Sequence, residues 1–125
     1  MTDAARVLVI EDNPANQLLT AAVLQLAGFE VDLAGSASEA IEIVDSKPPA
    51  LILMDVQLPG QNGLDLARQF KADPRTASIP IVALTANAMR GHREMALGGG
   101  CDGYISKPID TRTFADQVRE YMADG

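Results

Sequence analysis

Five residues with chemistry to offer each follow an apolar run: the pair Glu11-Asp12, then Asp55, Thr85 and Lys107. Three carboxylates gathered at one place repel one another unless a cation lies among them. A small set of hard oxygen donors that leaves positions for water suits Mg2+, with Mn2+ as a substitute. Lys107 adds a fixed positive charge that can pair with Asp55 when the site is empty and with a phosphoryl oxygen when it is filled. Thr85 adds a hydroxyl donor for such an oxygen. A carboxylate flanked by a divalent metal and an ammonium is set up to attack phosphorus, because both cations stabilise charge on the transferring group. Asp55 is the candidate nucleophile.

These residues work together only if the fold brings them to one edge. Five runs rich in Val, Ile and Leu, at 7–10, 29–33, 51–54, 79–84 and 104–105, read as strands. Between them lie segments of helical length with apolar residues three and four apart, which predicts a (βα)5 α/β domain. Three runs are nearly continuous in hydrophobicity, as parallel strands covered on both faces require, so a doubly wound three-layer sandwich follows. In such a sheet functional groups collect at the carboxyl ends of the strands, where all five residues stand. Boundary signals agree. Asn13 caps the first helix with Pro14 behind it, Gly28 stops it after Ala27, and Ser36 with Glu39 forms a capping box for the second. Asp110 is the expected cap of a last helix running to about Met122.

Composition removes other classes. The 125 residues carry 10 Lys and Arg against 17 Asp and Glu, a net charge of −7 without a basic stripe, which disfavours nucleic-acid and anionic-membrane binding. With 47% hydrophobic and 22% charged residues the chain can bury a core, and disorder is excluded. Cys101 has no second cysteine to pair with, the start lacks a signal-peptide layout, and no apolar run reaches the roughly 18 residues that span a bilayer. A single cytoplasmic domain over 1–125, with no output domain, is expected.

Taken together, the motifs resemble those of response-regulator receiver (CheY-like) domains of bacterial two-component signalling. The residues that carry the resemblance are Glu11-Asp12, Asp55 within Leu51-Ile52-Leu53-Met54-Asp55-Val56-Gln57-Leu58-Pro59-Gly60, Thr85-Ala86, and Lys107-Pro108. Their separations, 43 residues from Asp12 to Asp55, 30 to Thr85 and 22 to Lys107, fit that family. Asp12-Asn13-Pro14, Thr85-Ala86-Asn87-Ala88-Met89 and Tyr104-Ile105-Ser106-Lys107-Pro108-Ile109 look closest to DivK-type single-domain regulators and to receivers of hybrid sensor kinases.

The resemblance implies the strand order 2-1-3-4-5. It implies that Asp55 accepts a phosphoryl group from a histidine kinase or histidine phosphotransfer protein. Asp12 and Asp55 would then bind Mg2+ directly with the Gln57 backbone carbonyl, and Glu11 through metal-bound water. Thr85, Ala86 and Lys107 would meet the phosphoryl oxygens, the Lys107-Pro108 peptide would be cis, and Tyr104 would turn inward on activation. Gln57 and Asn87 fall where the family tunes hydrolysis. A downstream protein would read the surface of the fourth helix, fifth strand and fifth helix, called α4-β5-α5 in this family.

Competing readings remain. Haloacid-dehalogenase-like phosphohydrolases also use a strand-end Asp with Mg2+, but they place a second Asp two residues on, where Gln57 cannot exchange a proton. An unphosphorylated adaptor is opposed by retention of all five residue types. A flavodoxin-like cofactor binder lacks its Ser/Thr-rich loop at Asp12-Asn13-Pro14-Ala15-Asn16. Residues 98–103 match G-x-G-x-x-G but enter a strand instead of opening a helix, so they read as a helix stop and loop. His92 reads as a surface residue, Cys101 as a small buried one, and Gly91 as a weak point in the fourth helix. In the first helix, Leu19, Val23 and Ala27 form one apolar stripe, and Ala15, Leu18, Ala22 and Leu26 form another. One stripe must face the sheet. The other either docks a phosphohistidine-bearing helical hairpin through Ala15, Leu18 and Ala22, or is consumed by packing against the fifth helix.

Overall fold

The computed structural model describes residues 5–55, 57–58, 61–85, 101–106 and 109–124. Five parallel strands form one sheet: β1 (Arg6–Ile10), β2 (Glu30–Ala34), β3 (Leu51–Asp55), β4 (Ile81–Thr85) and β5 (Gly103–Ser106). Their order is β2-β1-β3-β4-β5, as the resemblance implied. The helices among the described residues are α1 (Pro14–Leu26), α2 (Ala37–Ser46), α3 (Gly63–Ala72) and a C-terminal helix, Phe114–Asp124. A two-residue antiparallel pair, Gln57–Leu58 with Gln61–Asn62, lies between β3 and α3. The expected fourth helix, with Gly91 and His92, falls outside the described residues.

The continuous hydrophobicity of the inner strands serves two cores at once. Leu8, Ile10, Ile52, Met54, Ile81 and Ala83 point to one face, where Val44, Leu66 and Phe70 cover them. Their neighbours Val7, Val9, Leu51, Leu53, Val82 and Leu84 point to the other face, against Leu24, Phe114 and Val118. Successive strand residues alternate between faces, so a strand buried on both sides has no place for a polar residue until it ends. Its end is therefore where carboxylates appear.

Element boundaries follow local chemistry. Asn13 Oδ1 accepts from the main-chain N–H of Ala15 at 2.9 Å and of Asn16 at 3.2 Å, opening α1 with Pro14 in its first turn. Gly28 ends that helix with φ +96°, a conformation costly for any residue with a Cβ. Ser36 Oγ accepts from Glu39 N–H at the start of α2. The last helix begins later than expected. Asp110 Oδ1 accepts from Arg112 N–H in a turn, and helix follows only from Phe114. Strand β2 starts one residue late because Phe29 N–H is taken by Leu24 C=O and its ring joins the core.

One expectation about α1 is corrected. Its fully buried residues are Thr20, Ala21 and Leu24; of the stripe of Leu19, Val23 and Ala27, Val23 and Ala27 pack half-buried against the core but Leu19 is 45% exposed. The alternative of both stripes consumed in packing also fails, since Ala15, Leu18, Ala22 and Leu26 are all exposed.

The amino end of β5 is fastened separately. Asp102 Oδ2 accepts from Ile81 N–H at 2.8 Å and stands 2.8 Å from Lys71 Nζ. Lys71 also donates to the Ile79 carbonyl at 2.9 Å, so one ion pair ties α3 to the starts of β4 and β5.

Candidate functional site

Register brings the acidic residues together. Ile10 of β1 lies opposite Met54 of β3, so the next residues, Glu11 and Asp55, emerge level from adjacent strands. Asp55 in turn lies opposite Leu84, one residue before Thr85, and Thr85 pairs with Ser106, the residue before Lys107. One carboxyl oxygen from each of Glu11, Asp12 and Asp55 lies within 4.8 Å of the others. Glu11 is 2% exposed and Asp55 7%, whereas Asp12 faces solvent.

Two buried carboxylates this close to a third raise a desolvation and repulsion cost that a cation would relieve. The donor set consists of hard oxygens with one open, solvent-facing side, which fits Mg2+ retaining part of its water shell. Glu11 is held from α1: Asn16 Nδ2 donates to its Oε1 at 2.8 Å, and Gln17 Nε2 donates to its main-chain carbonyl. The sequence motifs assign neither amide a role at the site. Their position in the first turn after an Asn-Pro cap, five and six residues beyond Glu11, was the available signal.

Gln57 lies in the short antiparallel pair just beyond β3, and Thr85 closes β4. Their side chains lie outside the described residues, as do Ala86, Asn87, Lys107 and Pro108, so the proposed cis peptide falls there too. Tyr104 is half-buried on β5 and packs against the core on the α2 and α3 side. Ala15, Leu18 and Ala22 stand exposed on α1, which begins four residues after Ile10, beside the acidic cluster.

The family model for the response regulator receiver domain matches residues 7–119. This chain belongs to the response-regulator receiver family. The polar-differentiation response regulator DivK of Brucella ovis is 38% identical over 118 residues, which cover 94% of this receiver and 96% of that relative. Among solved structures, a response regulator of Chloroflexus aurantiacus superposes with a TM-score of 0.91 at 28% identity, covering 96% of this chain and 98% of its own. The receiver domain of a Pseudomonas aeruginosa sensor histidine kinase, solved with a magnesium ion coordinated in its active-site cleft, gives 0.87 at 32% identity over 96% and 98% of the two chains. The receiver is thus a phosphoacceptor domain of two-component signalling, a family that takes phosphoryl groups from histidine kinases and generally binds Mg2+ through its acidic cluster. Among the described residues no helix is long and apolar enough to cross a membrane.

Proposed function

We propose that Asp55 is the phosphoacceptor and that Glu11, Asp12, Asp55 and the Gln57 carbonyl form the Mg2+ site. The convergence of three carboxylates at the carboxyl edge of the sheet, with Asp55 last in the central strand, carries the assignment. A carboxylate oxygen of Asp55 attacks phosphorus. The P–N bond to the donor's histidine breaks, its electron pair stays on the imidazole, and that nitrogen takes up a proton. Mg2+, when bound, supplies positive charge against the charge developing on the phosphoryl oxygens. Thr85, the last residue of its strand, Ala86 next in sequence and Lys107, next in sequence after Ser106, are assigned to those oxygens. Gln57 and Asn87 are assigned to tuning hydrolysis, and Tyr104 is assigned the inward switch.

The receiver assists its own phosphorylation and dephosphorylation without turning over a free substrate. The exposed face of α1, with Ala15, Leu18 and Ala22, is assigned to docking the donor kinase or phosphotransfer protein. Output passes through a protein bound at the segment after β4, β5 and the C-terminal helix, with no nucleic acid or membrane involved. The buried thiol of Cys101 accords with a cytoplasmic setting.

Incubation with acetyl phosphate and Mg2+, followed by intact-mass measurement, tests the assignment. Wild type is expected to gain one acid-labile phosphoryl group, and Asp55→Asn none. Persistent labelling of that variant would overturn it, and multiple turnover on small phosphate esters would favour a hydrolase.

A further inference from the structure

We propose that Asn16 is a positioning residue: from the first turn of α1 it fixes the carboxylate of Glu11 for the cation, and so couples the proposed docking helix to the metal site. This rests on the reading of Glu11, Asp12 and Asp55 as a Mg2+ site.

A carboxylate 2% exposed cannot rely on bulk water for solvation and must be held by protein donors. Asn16 supplies one at 2.8 Å. An amide suits this place because it orients the carboxylate while leaving its negative charge for a divalent ion. A Lys or Arg there would neutralise it. The reach is prearranged. Asn13 Oδ1 accepts the main-chain N–H of Asn16 itself, and the next residue, Gln17, grips the Glu11 main-chain carbonyl. Consecutive residues of α1 therefore hold both the side chain and the backbone of Glu11. Glu11 and Asn16 also line a small, partly open pocket of about 30 Å³ with Leu19, Thr20, Leu84 and Ile109.

The coupling follows from sequence position. Asn16 sits between Ala15 and Leu18 on the exposed helix, so a cation that steadies Glu11 also steadies the turn that meets a partner. By linkage, a partner that steadies that turn favours the cation.

Calorimetric titration with Mg2+ alone, together with hydrogen exchange, tests the proposal on the whole protein. Asn16→Ala is expected to weaken Mg2+ about tenfold, the low end for residues that orient metal ligands, with little change in the metal-free unfolding midpoint. Asn16→Gln, which keeps the donor, is expected to recover most of the affinity. Mg2+ is expected to slow amide exchange in the first turn of α1 in wild type but not in Asn16→Ala. Equal affinity in Asn16→Ala and wild type overturns the proposal alone. So does loss of the fold in Asn16→Ala, or an Asn16→Gln that binds no better than Asn16→Ala. Failure of wild type to bind Mg2+ overturns the cation-site reading and this proposal with it.

Discussion

Arg119 donates through Nη2 to the main-chain carbonyl of Ala27 at 2.9 Å, and its guanidinium carbon lies 5.3 Å from the ring centroid of Phe29. Helix α1 has no basic residue in its last turn, so the negative end of its dipole is met by a cation from the C-terminal helix. The two helices that cover one face of the sheet are thereby fastened at the end away from the acidic cluster. Arg119→Ala is expected to cost about 1–2 kcal/mol, less than the roughly 2–4 kcal/mol to which a charged hydrogen bond and an exposed cation–π contact sum, because the guanidinium is half exposed to water. Urea unfolding should show a lower midpoint at unchanged slope; an unchanged midpoint would show that the contact contributes nothing.

Gly103 is expected to resist substitution. A Cβ built there would run into Cε1 of the Tyr121 ring, and Tyr121 Oη donates to the Tyr104 carbonyl at 3.3 Å. Gly103→Ala must therefore push the ring off β5, at roughly 1–3 kcal/mol for overpacking. In the double variant Gly103→Ala, Tyr121→Ala the two costs should be less than additive, which thermal unfolding of all four proteins would measure. Strict additivity would count against the clash.

Leu18 is 69% exposed, so Leu18→Glu should leave the unfolding midpoint near that of wild type. Transfer from the phosphorylated donor protein should nevertheless fall about tenfold or more if Leu18 is buried at the centre of the complex. Labelling by acetyl phosphate, which needs no docking face, should be unaffected. Unchanged transfer from the donor protein would remove α1 as its seat.

Burial, reinforced by the charge of Asp102, pushes the Cys101 thiol up to about 11, while Lys71 pulls the other way. The folded state therefore holds the thiol proton more tightly than the unfolded chain does. That preference contributes stability below the ordinary thiol value of 9.0, and it is lost as pH rises from there to about 11. Wild type should lose stability relative to Cys101→Ala across that window, and its thiol should react with a disulfide reagent at pH 8 only as fast as the protein opens. Parallel pH profiles for the two proteins would contradict this.

The sheet was legible because its inner strands are buried on both faces, so hydrophobicity alone marks β1, β3 and β4. Asn13, Gly28 and Ser36 were legible as caps because each satisfies main-chain groups within a few residues of itself. The inner face of α1 was not, because a helix with apolar residues on every side gives no phase, and the buried polar residue is Thr20. Leu24 belonged to neither predicted stripe and turned out to anchor the helix. Asn16, Gln17 and Asp102 act through partners on other elements. For the two amides only their place in the turn after the Asn13-Pro14 cap separates them from solvated residues, and for Asp102 nothing in the local pattern does.

Helix α1 contains no charged residue over its 13 positions, Pro14–Leu26. A partner lying along Ala15, Leu18, Ala22 and Leu26 cannot be rejected there by like-charge repulsion, the usual means of keeping similar signalling pairs apart. Discrimination along this stripe has to be steric, set by where a methyl alternates with an isobutyl group. Insulation between pathways would then rest on a few methylenes, would persist at high ionic strength, and would be open to change by a single small-to-large substitution.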